Sequence, residues 1–67
     1  MGKLYDMAQA IEEHIKRNNL DVFKTRGAIA VQVGFIVTLI GPDEPDDAEK
    51  IRLLRAAAQD VLGLNLS

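Results

Sequence analysis

Lys16, Arg17, Lys24 and Arg26 could cluster at the junction of the first two elements of the chain. Should a helix begin at Asp21, its unsatisfied amide ends and these four cations could hold a phosphate or touch a nucleic-acid backbone. Glu12, Glu13 and Asp21 lie among them, however, and Phe23 is the only aromatic residue beside them for base stacking. A weak nucleic-acid or phosphate-ligand module is therefore the second reading of the chain, not the first. The acidic run Asp43, Glu44, Asp46, Asp47 and Glu49 offers the oxygen ligands a hard cation takes. It lacks the spacing of a Ca²⁺ loop, and a loop leading into a helix N-terminus accounts for it equally well.

His14 is the only histidine, at the border of an apolar helix face, and is read as a packing residue rather than a base. Nucleophiles are scarce: there is no Cys, the only Ser is Ser67, and Thr25 and Thr38 have no histidine at an interpretable spacing. The glycines at 27, 34 and 41 do not follow a phosphate-loop pattern. No enzyme activity, cofactor or metal is expected of this chain.

The elements that would position these residues must come from 67 amino acids, which caps the organisation at a single domain spanning residues 1–67. Such a domain buries only about 60% of its unfolded surface. Without cysteines there are no disulfides or thiolate metal sites to staple it. Apolar residues make up 48% but aromatics only 4%, so the core must be aliphatic. Formal charge is −2 overall; residues 1–34 carry five basic and four acidic side chains, and residues 35–67 carry three and six. Neither half is basic enough to imply strong nucleic-acid binding by charge alone. The N-terminus has no apolar signal core. The uncharged stretch from Gly27 to Pro42 is 16 residues, short of the roughly 20 that span a bilayer. The expectation is a soluble, cytoplasmic protein with no membrane partner.

Two amphipathic helices are legible at once. In Lys3–Asn18, Leu4, Met7, Ala8, Ile11 and Ile15 recur at three- and four-residue spacing. Glu12–Lys16 and Glu13–Arg17 are acid-before-base pairs one turn apart, and Asn18-Asn19 is a plausible stop. In Asp46–Leu62 the apolar face is Ile51, Leu54, Ala58, Val61 and Leu62. Asp46 or Asp47 can cap it, Asp46 with Glu49 at capping-box spacing, and Gly63 suits the left-handed position past its end.

The middle segment, Ala28–Ile40, admits two readings. Large residues alternate with small or polar ones, and seven of the thirteen are β-branched, as in a strand. Yet a thirteen-residue strand exceeds the usual five or six and has almost nothing to pair with. As a helix from Asp21 to Ile40 the segment has an N-cap at Asp21 and a Gly41-Pro42 stop. It would be apolar nearly all round, with Gly27, Gly34 and Gly41 along one line. The expected fold is therefore an all-α, three-helix domain; the alternative is α+β, helix–two strands–helix, dimerising through the sheet.

Two neighbours of about sixteen residues cannot cover an all-apolar helix. The surplus surface points to a partner, most simply an identical chain with two-fold symmetry, or else a helix or tail of another protein. The expected function is a non-enzymatic interaction module that self-associates as a homodimer. Its expected contact residues are Phe35, Ile36 and Leu39, with Gly34 allowing close approach. Phe35→Glu is then expected to split the dimer without unfolding the chain.

Overall fold

The computed structural model describes residues 2–66. Three α-helices follow in order: α1 (Lys3–Arg17), α2 (Val22–Val33) and α3 (Ala48–Leu62), with a 3₁₀ turn at Val37–Leu39 between the second and third. No strand occurs among the described residues. The domain is all-α, and the sheet alternative is set aside. Its extents are 29 × 21 × 20 Å.

Helix α1 buries Leu4, Met7, Ala8, Ile11 and Ile15, the five residues its periodicity selects. It ends at Asn18, and Asn19 takes the left-handed conformation at φ 54°. This is where a short polar side chain tolerates positive φ best. Helix α3 buries Leu54 and Ala58, and also Ala57. Ile51, Val61 and Leu62 are half-buried at its flanks. Its cap is Asp47, which accepts from the backbone N–H of Glu49 at 2.9 Å and of Lys50 at 3.4 Å. Asp46 does not cap this helix, so the capping box with Glu49 does not form. Gly63 closes the helix at φ 64°, its N–H donating to the Gln59 carbonyl at 2.9 Å while the Leu64 N–H donates to the Ala58 carbonyl at 3.2 Å. The chain then folds back, and Leu66 is buried in the core.

Helix α2 is shorter than the sequence suggests, running from Val22 to Val33. Asp21 caps it as expected, accepting from the N–H of Lys24 at 3.0 Å. The helix stops at Val33 instead of Ile40, where Gly34 turns left-handed at φ 74° and donates to the Ala30 carbonyl. Length explains the difference. Twenty residues of helix would reach about 30 Å, while the neighbouring helices of fifteen reach about 22 Å. A helix continued to Ile40 would overrun them. The break lets Val37 and Ile40 return to the core beside Ile29 and Val33. The supposed line of three glycines therefore does not exist: Gly27 alone lies inside a helix, Gly34 terminates it, and Gly41 follows the 3₁₀ turn.

α2 packs principally against α3 and α1 against α3. Gln32 Nε2 donates to Asp60 Oδ2 at 2.7 Å across the first of these contacts.

Candidate interaction surface

The solvent faces of the three helices differ in chemistry. On α1 the exposed residues include Lys3, Asp6, Glu13, Lys16 and Arg17; on α3 they include Glu49, Arg52, Gln59 and Asp60. Both are ordinary solvated faces. On α2 the exposed residues are Phe23, Lys24, Gly27, Ala28, Val31 and Gln32. Phe23 is 88% and Val31 86% exposed. The cause lies in the wheel. Val22, Arg26, Ile29 and Val33 share the inward arc, which leaves Phe23, Gly27 and Val31 as a row at four-residue spacing on the other side.

The same surplus continues on either side of the helix. Leu20 precedes it at 39% exposure, and Ile36 and Leu39 follow it at 57% and 73%. These five are the large apolar residues exposed among the described ones, and all fall between positions 20 and 39. Burying large side chains is the main favourable term in folding, and a lone exposed Leu means little. Five in one stretch of a 67-residue chain, with α1 and α3 supplying none, is a concentration that needs a reason.

Of the four contact residues expected from the sequence, Ile36 and Leu39 lie outward. Gly34 is exposed at the end of α2, with nothing within 4 Å of where a Cβ would sit. Phe35 is half-buried and packs against the core. The Lys50 ammonium lies 5.6 Å from its ring centroid, within cation–π range, and the same ammonium lies 3.4 Å from Glu44 Oε1. Phe35→Glu would thus disturb the fold as well as any contact, so Ile36 and Leu39 are the cleaner probes. Leu20, Phe23 and Val31 were not legible as surface. A helix taken as apolar all round offers no way to choose its outer face. With Gly34 as the C-cap, the inward arc of Val22, Arg26, Ile29 and Val33 defines that face.

The four cations do not assemble into an open cluster. Arg17 Nη2 lies 2.6 Å from Glu13 Oε1. Arg26 pairs with Glu12 across the α1–α2 contact, so Glu12 turns away from the expected Lys16. Lys16 and Lys24 are exposed. The acidic run is likewise occupied with structure. Asp46 Oδ1 accepts from the Leu4 N–H at 3.1 Å and so caps α1, Asp47 caps α3, and Glu44 holds Lys50. Leu4 N–H first and Lys3 N–H second hold the Asp46 carboxyl below its ordinary value of 3.8. Among the described residues no three acidic or histidine side chains come together as a metal site.

His14 is half-buried, as its place on the helix border implies. A cavity of about 40 Å³ lies between α1, α2 and the 3₁₀ turn, walled by Ile11, Ile15, Ile29 and Ile40 with Glu12 and Arg26 beside them. It is far below the 300–1,000 Å³ of small-molecule sites. A groove of about 410 Å³, open to solvent, runs along α1 beside Leu64 and Leu66, with Lys3, Asp6 and Asn65 also on its walls. No described helix is long and apolar enough to cross a membrane.

Comparison of the chain with protein-family models, with curated proteins and with solved structures finds no match.

Proposed function

We propose that this protein is a small non-enzymatic interaction module that self-associates through the outer face of α2 and the turn that follows it. One observation supports this reading above the others: among the described residues, the exposed large apolar side chains are confined to positions 20–39. An identical chain is the simplest partner, because a two-fold contact uses the same patch twice. A helix or tail of another protein could use the same surface.

Salt separates this reading from a phosphate or nucleic-acid contact at Lys16 and Lys24. Apolar association holds or strengthens as a salting-out salt is added, whereas phosphate contacts weaken steeply with salt. Size-exclusion chromatography of the wild type and of Leu39→Glu, at low and high sulfate, tests it. The expected result is a larger species that survives high salt and is lost in Leu39→Glu, with helical circular dichroism unchanged. A species of monomer size under every condition, or one that Leu39→Glu and Ile36→Glu both leave intact, would overturn it.

A further inference from the structure

Resting on that self-association reading, we infer that the partner is a second copy docked antiparallel, α2 against α2, with the two helices crossing at Gly27. The row Phe23–Gly27–Val31 is nearly symmetric about its centre: a bulky apolar side chain, no side chain, and a bulky apolar side chain, one every four residues. Residues four apart form a continuous ridge on a helix surface, and two such ridges interdigitate at about 50°. A two-fold axis at Gly27 places Phe23 of one copy on Val31 of the other, at both ends of the crossing. Gly27 is exposed, and a Cβ built there meets nothing within 4 Å. The backbones can therefore approach closely at the axis.

Charge and area favour this orientation. Phe23, Gly27, Ala28 and Val31 carry no charge, and Lys24 is the one exposed cation on α2. Antiparallel docking sets the two Lys24 residues on opposite sides of the two-fold axis, about 9 Å apart along the helix direction. A parallel pair would bring them side by side. The antiparallel arrangement also carries Leu20 of one copy toward Ile36 and Leu39 of the other. The five exposed side chains then offer on the order of 500 Å² per copy, or about 1,000 Å² for the pair, the lower bound for a specific interface. A weak, concentration-dependent dimer is what such a surface can form.

The chain has no cysteine, so single introduced thiols report the geometry without background. Gly27→Cys, Phe23→Cys, Val31→Cys and Ala56→Cys are oxidised at a concentration where the wild type sediments as a dimer. Ala56 lies on the exposed face of α3 and serves as reference. The dimer holds facing thiols at millimolar effective concentration, so Gly27→Cys should cross-link at least about tenfold faster than Ala56→Cys. A mixture of Phe23→Cys and Val31→Cys should give mainly the mixed product. The mixture also decides the case should Gly27→Cys fold poorly. If the chain dimerises but neither Gly27→Cys nor the mixture outpaces Ala56→Cys, the antiparallel geometry is wrong and the self-association reading stands. Phe23→Cys pairing mainly with itself would mean a parallel contact and would also overturn the geometry. A wild type that remains monomeric at every concentration removes both.

Discussion

Asp46 does for α1 what Asp47 does for α3, but from 42 residues away. Neighbouring aspartates thus cap two different helices and tie the second loop to the start of the chain. The Asp47 cap is local and readable from sequence; the Asp46 cap depends on how the helices pack, so capping-box spacing misleads. A carboxyl with a lower pKa folded than unfolded adds stability at pH above its unfolded value near 3.8 and loses it as pH falls through the folded value. Urea denaturation as a function of pH should therefore show wild-type stability declining on the acid side more steeply than Asp46→Asn. Parallel profiles would mean the cap contributes nothing in solution. Burial gives a second contrast at single residues. Leu54 is fully buried and Val31 almost fully exposed. Leu54→Ala should cost about 2–5 kcal/mol of unfolding free energy, and Val31→Ala should stay within about 0.5 kcal/mol in the monomer. Chemical denaturation at low protein concentration measures both, and a comparable loss at the two positions would contradict the assigned packing.

At the scale of elements, what the sequence showed depended on range. The core faces of α1 and α3 were legible because 3.6-residue periodicity is a local property, and so were the ends at Asn18, Asp21 and Gly63. Helix over strand in the middle was decided by the lack of a pairing partner, a global argument that outweighed seven β-branched residues in thirteen. Where α2 ends was not legible. Gly34 and Gly41 are equally good stops locally, and the length of the flanking helices selects the first. Two glycine substitutions test that end. At Gly34 the backbone is left-handed, so Gly34→Ala should destabilise by about 1 kcal/mol. Inside α2 a Cβ at Gly27 meets nothing, so Gly27→Ala should stabilise the monomer by up to about 1 kcal/mol. Thermal melts of the two variants at low concentration should move in opposite directions. Stabilisation by Gly34→Ala would mean that the helix runs on past residue 34.

For the whole molecule, surface is the central quantity. A chain this small cannot bury everything it carries, and here the unburied part is not scattered. α1 and α3 turn charged faces outward, and α2 and its following turn present Leu20, Phe23, Val31, Ile36 and Leu39. That an apolar surplus would exist was legible from Ala28–Ile40 alone. Where it would surface was half legible, in Ile36 and Leu39 but not in Phe23 or Val31, because the choice of outer face depends on α2 ending at Val33. Self-association therefore requires that this surface be covered in solution. Sedimentation equilibrium of the wild-type chain over a wide concentration range tests it most directly. The prediction is an apparent mass that rises with concentration from 7.4 kDa toward twice that value. A mass that stays at 7.4 kDa throughout would contradict it, and would mean that the outer face of α2 is not covered by a second copy of this chain.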